Sequence, residues 1–169
     1  MQSILIFVDD IYEDLELWYP KIRLEEEGCK VVIAGPEAGK VYSGKHGYPC
    51  KADISYEKAE VKSFDGLVIP GGYAPDKMRR YARALEIVRE MNGAGKMIAF
   101  ICHAGWVPIS AKILSGRHVT GFSAIKDDLE NAGARYSDKA VVVDKNLITS
   151  RTPHDLPQFC KAMIEFLKK

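Results

Sequence analysis

Apolar residues occur along this chain in short continuous runs, and most runs are followed by a segment with helical spacing. Such runs are typical of parallel strands that are buried on both faces. They predict strands at residues 3–8, 29–34, 65–69 and 97–101, short hairpin strands within 40–51, and a hairpin at 141–149. Helical spacing predicts helices at 13–27, 83–91, 104–114, 125–132 and 153–169, the first of them kinked or restarted at Pro20.

The alternation of strands and helices predicts the fold class. We expect an α/β three-layer sandwich, flavodoxin-like, in which helices cover both faces of a mostly parallel sheet. With 169 residues and no linker, repeat or low-complexity tract, the chain is expected to form a single domain over residues 1–169. In such folds the chemistry lies at the carboxyl ends of the strands.

Charge and composition narrow the function classes. Twenty-four Lys and Arg against 23 Asp and Glu give a net charge of +1, which argues against a nucleic-acid or anionic-membrane partner. No apolar stretch approaches the ~18 residues of a membrane span, and no targeting segment is recognised, so a cytoplasmic location is expected. The four cysteines lack CxxC or metal-site spacing and are expected to be free thiols, with no metal or cofactor: Cys29, Cys50, Cys102 and Cys160.

Cys102 stands where a buried strand runs directly into a helix. This arrangement is typical of a nucleophile elbow, in which a sharp turn lifts the nucleophile to the edge of the sheet. Ala104 and Gly105 are small enough for the turn to close, and the amino end of the helix is expected to lower the pKa of the thiol. Cys102 could equally be a buried small apolar residue, and its local context leaves both readings open.

Two other strand ends carry residues that could serve this cysteine. Pro70-Gly71-Gly72 can present backbone N–H groups without side-chain obstruction, as an oxyanion hole requires, although the same residues also form ordinary turns. Glu13, Asp14 and Glu16 open the first helix, where acids commonly compensate the helix dipole. A carboxyl near Cys102 could instead share a proton with it.

Six motifs occur in order along nearly the whole chain. They are Tyr12-Glu13-Asp14-x-Glu16, Gly44-Lys45-His46-Gly47, Pro70-Gly71-Gly72-x-x-Pro75-Asp76, Ile101-Cys102-His103, Lys126-Asp127-Asp128 and Ser150-Arg151-Thr152-Pro153. Together they resemble the PfpI intracellular protease family, within the class I glutamine amidotransferase-like superfamily. That superfamily also contains protein deglycase and glyoxalase III-type enzymes.

The resemblance implies a role for each matching residue. Cys102 is the nucleophile, and His103 is the candidate base, oriented by an acid from a neighbouring subunit. Asp76 matches that acid, where many relatives have Glu. Glu13 matches the carboxyl that hydrogen-bonds to the cysteine sulfur, and the amides of Gly72 and His103 match the oxyanion hole. An acid supplied across an interface implies a homodimer or a higher homo-oligomer.

The chain also departs from the family pattern. Trp106 places a ring where relatives usually have an amide, Phe122 stands where some relatives carry a Tyr hydroxyl, and His154 interrupts a common Thr-Pro-Asp-Asp reading. His46, His118 and His154 show no partner in the sequence and are interpreted as structural.

Three functions are compatible with these residues. The favoured one is a cysteine-dependent stress-response hydrolase of the PfpI type that cleaves peptides, although a His next to the Cys is poorly placed to take its proton and Glu13 is better placed. The second is glyoxalase III or deglycase chemistry on methylglyoxal or its adducts, which needs a thiolate and a proton shuttle. The third is a redox-responsive stress or chaperone protein. A glutaminase is disfavoured, because the chain has no synthase domain and no late His-x-Glu.

Overall fold

The computed structural model describes residues 1–169 and contains eleven strands and six α-helices. The strands are β1 Ser3–Phe7, β2 Lys30–Gly35, β3 Val41–Ser43, β4 Pro49–Lys51, β5 Ile54–Ser55, β6 Gly66–Ile69, β7 Met97–Ile101, β8 His118–Val119, β9 Arg135–Tyr136, β10 Val141–Asp144 and β11 Leu147–Ser150. The helices are α1 Asp14–Glu26, α2 Ala74–Met78, α3 Ala82–Gly93, α4 Trp106–Ser110, α5 Lys126–Asn131 and α6 Leu156–Leu167.

Seven strands form the central sheet in the order β10-β11-β7-β6-β1-β2-β5. Every neighbouring pair is parallel except the hairpin of β10 and β11. Five adjacent strands of this sheet lie in the order β2-β1-β6-β7-β11. When these five are numbered along the chain, the order is 2-1-3-4-5, which is the flavodoxin-like order. The predicted α/β fold class is therefore confirmed.

Helices cover the sheet on both sides. Helix α6 packs on β7, β10 and β11 and against α1, whereas α3 packs on β6 and β7. After β2, the chain adds its next strands on the other side of β1. Right-handed crossovers therefore place α3 on the opposite face of the sheet from α1. One cluster of 47 buried residues joins these layers, and it includes every residue of β7.

The differences from the predicted elements are local. Helix α1 continues through Pro20 without a restart. The short helix α2 was not predicted, because its five residues are too few for a periodic pattern. The segment expected as one helix at 104–114 is a 3-10 turn, Cys102–Gly105, followed by only five residues of α4. None of the helices has the length and apolar character needed to cross a bilayer.

The strand order creates a switch point between β1 and β6. The chain leaves β1 towards β2 on one side and returns to β6 on the other, so a crevice opens at their carboxyl ends. Strand β7 lies beside β6. The segments that follow β1, β6 and β7 therefore meet at one edge of the sheet.

Candidate active site

Cys102 forms the elbow that its sequence context predicted. It follows β7 directly, begins the 3-10 turn, and has a φ of 61°. A non-glycine residue in this left-handed region costs about 1–3 kcal/mol and persists only where its surroundings hold it. The side chain is 8% exposed and lines a cavity of about 520 Å³. The strained backbone thus holds the sulfur at the end of an accessible pocket.

Two backbone amides point at this sulfur. The N–H groups of Gly72 and His103 donate towards Cys102, and both contacts lower the pKa of the thiol. Gly72 has a φ of 77°, and a Cβ at this position would lie 2.5 Å from the backbone nitrogen of Glu13, so only glycine fits. These are the two amides that the family resemblance implies for an oxyanion hole.

Ile11 holds the Gly72 segment in place, although nothing in the sequence pointed to it. Its φ is 66°, which is rare for a β-branched residue. In this conformation its carbonyl accepts the N–H groups of Tyr73 at 2.8 Å and Ala74 at 3.2 Å. On the other side of Gly72, the N–H of Glu13 donates to the carbonyl of Gly71 at 3.1 Å. The peptide that carries the Gly72 N–H is therefore fixed from both sides.

The carboxyl beside the thiol belongs to Glu16. This side chain is fully buried, and its Oε2 accepts the N–H of Gly71 at 2.7 Å. Its other oxygen, Oε1, accepts no N–H or O–H group, while the carboxyl interacts with the Cys102 thiol. Burial raises the pKa of Glu16 to about 8, and the neighbouring Glu13 adds to the increase. Glu16 therefore carries a proton at neutral pH.

Glu13, which was expected at this position, lies elsewhere in the same cavity. It is the N-cap of α1, where its Oε2 accepts the N–H of Glu16 at 3.1 Å. Its Oε1 lies 3.8 Å from Nε2 of His46. The difference follows from helix geometry: Glu16 shares the buried face of α1 with Pro20 and Leu24 at four-residue spacing, whereas the N-cap precedes the helix.

The pKa of Cys102 is shifted in the opposite direction from the one predicted. Burial raises it, and the negative charge of the Glu16 carboxylate raises it further. The helix that follows the elbow is too short to offset this with its dipole. A negative charge on either group raises the pKa of the other, so both groups hold their protons at neutral pH, and Cys102 must give its proton to a nearby base before it can act as a thiolate.

His103 is closer to the sulfur than its place in the chain suggested. Its Nδ1 lies 3.3 Å from Sγ of Cys102. The ring packs against Phe122 and Trp106, with centroid distances of 4.8 Å and 5.1 Å, and the contact with Trp106 is edge-on. Desolvation by this packing lowers the pKa of His103, so the imidazole is neutral at neutral pH. A His next to the Cys was expected to be poorly placed to take the thiol proton, but in the structure His103 lies within reach of it.

Asp76 does not line the cavity within its own chain. It lies in α2 and forms an ion pair with Arg80 one turn later. Its expected role, orienting His103 from a neighbouring subunit, remains a prediction.

Lys45 and His46 also line the cavity, and sequence reasoning gave neither a role at the site. They lie in the turn between β3 and β4. Asp14 holds this turn against the start of α1. The two carboxylate oxygens of Asp14 accept the N–H groups of His46 and Tyr48, each at 2.9 Å. Of the other histidines that were interpreted as structural, His118 bonds to the Ser137 hydroxyl at 2.6 Å.

Glu13, Asp14 and His46 have the mutual spacing of metal ligands, within 4.8 Å. However, Glu13 already accepts the N–H of Glu16, and both oxygens of Asp14 accept backbone N–H groups. This set is accounted for as the anchor of the turn. All four cysteines are free thiols, as expected.

Comparison with known proteins identifies the family. The model of the DJ-1/PfpI family matches residues 2–166. The chain belongs to the DJ-1/PfpI family. The deglycase PH1704 of Pyrococcus horikoshii is 44% identical over 166 residues, covering 98% of this chain and 99% of that protein. The putative cysteine protease YraA of Bacillus subtilis is 40% identical over 167 residues, covering 99% of each.

A solved structure agrees with this assignment. The crystal structure of Drosophila melanogaster DJ-1beta matches with a TM-score of 0.92 and 30% identity, covering 98% of this chain and 90% of that one. The resemblance drawn from the six motifs is confirmed, and the DJ-1/PfpI family includes proteins named as enzymes. Those names differ in the reaction, so the site must be used to choose between them.

Proposed function

We propose that this DJ-1/PfpI protein carries out glyoxalase III or deglycase chemistry, acting on 2-oxoaldehydes such as methylglyoxal or on their early adducts with proteins. The observation that carries the proposal is the buried, protonated Glu16 carboxyl beside the Cys102 thiol. Aldehyde chemistry needs a sulfur nucleophile together with a group that both gives and takes a proton. Cys102 is proposed as the first, once its own proton has been removed, and Glu16 as the second. The name of the Pyrococcus horikoshii relative supports the same choice.

The proposed reaction begins when the imidazole of His103 takes the proton of the Cys102 thiol and the sulfur attacks the aldehyde carbon, which gives a hemithioacetal. The N–H groups of Gly72 and His103 face the developing oxyanion, and Glu16 donates its proton to it. A proton then moves from the former aldehyde carbon to the neighbouring carbonyl carbon, and the hydroxyl proton moves to the neighbouring oxygen, which leaves a lactoyl thioester. Water hydrolyses the thioester and restores the thiol, so that methylglyoxal and water become lactate without an external oxidant.

The neutral imidazole of His103 is proposed as the base that works alongside Glu16. Its Nδ1 is within reach of the sulfur, and its lowered pKa keeps it unprotonated at neutral pH. No cofactor is needed for these steps.

The test is to measure methylglyoxal consumption and lactate formation by the wild type and by Cys102→Ser. We expect the substitution to abolish lactate formation while circular dichroism and thermal unfolding stay unchanged. Cys29→Ser is the matched control, since Cys29 is a partly exposed thiol outside the cavity that could scavenge methylglyoxal without turnover. Lactate formation that survives in Cys102→Ser would overturn the proposal.

Peptide hydrolysis is the second candidate, and the contact between Cys102 and His103 favours it. A thiol 3.3 Å from a neutral imidazole, with two amides facing the sulfur, has the parts of a cysteine hydrolase. Cleavage of fluorogenic peptides, absent in Cys102→Ser and unaccompanied by lactate formation, would favour this reading. Absence of both activities would leave the redox-responsive reading, tested by whether peroxide converts Cys102 to a sulfinate.

We also propose that the site is completed in a homodimer or larger homo-oligomer, with Asp76 of one subunit orienting His103 of another. The test is to mix two variants, Cys102→Ser and Asp76→Asn, each of which we expect to be inactive alone. In a mixed dimer, the Asp76→Asn chain supplies Cys102 and His103, and the Cys102→Ser chain supplies Asp76. Activity that returns on mixing supports a shared site, and a mixture that stays inactive contradicts it.

A cytoplasmic role in defence against reactive carbonyls is part of the same proposal.

A further inference from the structure

Lys45 is the unpaired cation of the active-site cavity. It lines the same cavity as Cys102 and His103, and it forms no ion pair, whereas ion pairs occupy many other charged side chains of the protein. Its charge reaches the reacting groups, because it lowers the pKa of both Glu16 and His103. An ammonium group left free in a pocket of this kind is available to a ligand.

The turn that carries Lys45 is held in place by hydrogen bonds. The N–H of Lys45 donates to the carbonyl of Tyr12 at 2.7 Å, and the buried Asp14 accepts the next N–H along the chain and that of Tyr48. A Cβ on Gly44 would lie 2.2 Å from Oδ1 of Asp14, so the turn fits tightly against α1. The root of the Lys45 side chain is therefore fixed beside the cavity.

Two carboxyl groups share the cavity with this cation, and neither forms an ion pair with it. Glu16 carries a proton, and Glu13 accepts the N–H of Glu16 and lies 3.8 Å from His46. The remaining walls include the side chains of Ile11, Trp106, Phe122 and Pro153, which bring no charge. One ammonium with no second cation beside it suits a singly charged carboxylate better than a phosphate dianion.

We infer that Lys45 selects for substrates that carry a carboxylate, and that the preferred substrate class is a 2-oxoaldehyde with a carboxylate at the far end of its chain. This rests on the proposed function and makes it specific. The reaction is the one proposed above: 4,5-dioxopentanoate and water give 2-hydroxyglutarate, with the aldehyde carbon oxidised and the ketone carbon reduced. The carboxylate itself takes no part in the bond changes.

The test compares kcat/KM for 4,5-dioxopentanoate with kcat/KM for its methyl ester, which has the same reacting carbons but no charge. The wild type should prefer the anion, and Lys45→Met should lower the ratio of the two values roughly tenfold, as expected for one charge-assisted contact. Lys45→Arg should keep most of the preference. Lys51→Met is the matched control, because it removes the same charge from the same hairpin at an exposed site outside the cavity. An unchanged ratio in Lys45→Met would overturn the inference.

A second arm does not depend on aldehyde turnover. The rates at which iodoacetate and iodoacetamide alkylate Cys102 are measured by site-resolved mass spectrometry; in each case the sulfur displaces iodide. The ratio of the anionic to the neutral reagent should fall several-fold in Lys45→Met and stay constant in Lys51→Met. If no 2-oxoaldehyde is turned over but this ratio falls, the proposed reaction fails while the anion preference stands. If the ratio is unchanged, the anion preference fails on its own.

Discussion

Nδ1 of His103 lies 3.3 Å from Sγ of Cys102, although the two residues are adjacent in the chain. The left-handed backbone of Cys102 makes this contact possible, since it turns the chain sharply between the two side chains. The sulfur therefore has an imidazole as one neighbour and the protonated carboxyl of Glu16 as another.

The first prediction separates the two glutamates of the cavity. Glu16→Gln should lower kcat for methylglyoxal by about 10²–10⁴-fold, the usual contribution of a positioned acid–base group. Glu13→Gln should lose far less, because that side chain caps α1 and does not interact with the thiol. Steady-state lactate formation measures both. Equal losses in the two variants would contradict the assignment of Glu16.

The same substitution should change the thiol itself. The Glu16 carboxylate raises the pKa of Cys102, and the neutral amide of Gln cannot, so the pH at which Cys102 is half-maximally alkylated should move down in Glu16→Gln. The measurement is the iodoacetamide rate at Cys102 between pH 8 and 11, below the wild-type midpoint, where a lower pKa gives a faster rate. A rate in Glu16→Gln no higher than that of the wild type would mean that the carboxyl does not act on the sulfur.

The second prediction concerns stability against pH. The folded protein raises the pKa of Glu16 from the ordinary 4.5 to about 8, so the folded state binds a proton that the unfolded state releases above pH 4.5. The resulting contribution is fully present below pH 4.5 and is lost as pH rises towards 8. The free energy of unfolding of the wild type should therefore fall relative to Glu16→Gln over this window, by at most about 1.4 kcal/mol per pH unit. Urea unfolding at several pH values checks the sign.

The third prediction tests the close packing of Gly71 against Glu16 and Cys102. A Cβ on Gly71 would lie 2.5 Å from Oε2 of Glu16 and 2.9 Å from Cβ of Cys102. Gly71→Ala should destabilise the protein by about 1–3 kcal/mol and lower activity, because the carboxyl and the sulfur cannot both keep their places. Gly93→Ala, where no atom lies within 4 Å of the added Cβ, should be tolerated. Full activity in Gly71→Ala would show that the two groups can move without cost.

The fourth prediction concerns the packing of two aromatic side chains against the His103 ring. Packing between Phe122 and Trp106 desolvates the imidazole and lowers its pKa. Phe122→Ala should admit water and move that pKa back up towards 6.5. Titration of the His103 ring proton by NMR measures the change, and the ring of His118, bonded to Ser137, is the internal reference. A pKa that stays low in the variant would assign the shift to Lys45 instead.

Much of the fold could be read from the chain, because buried parallel strands appear as apolar runs. The bounds of β7 were predicted residue for residue, and β10 and β11 form the hairpin that was predicted in this part of the chain. Helix α2 and the length of α4 could not be predicted, since elements of five residues are set by tertiary contacts and not by periodicity. Cys102 and the glycine-rich strand end were identified because each follows an apolar run that marks the sheet edge.

The partners of Cys102 depended on the three-dimensional arrangement. Glu13 and Glu16 look alike in sequence, and only the direction of α1 across the sheet edge turns Glu16 inward to the sulfur. The strain at Ile11 has no sequence signal, because its side chain disfavours the conformation that its carbonyl contacts impose. The sequence alone thus determined the family, the sheet and the cysteine at the sheet edge, which depend on local patterns. The tertiary structure decided which carboxyl lies beside the thiol and which cation lines the cavity, because burial and charge at a site are properties of segments brought together from β1, β6, β7 and the β3–β4 turn.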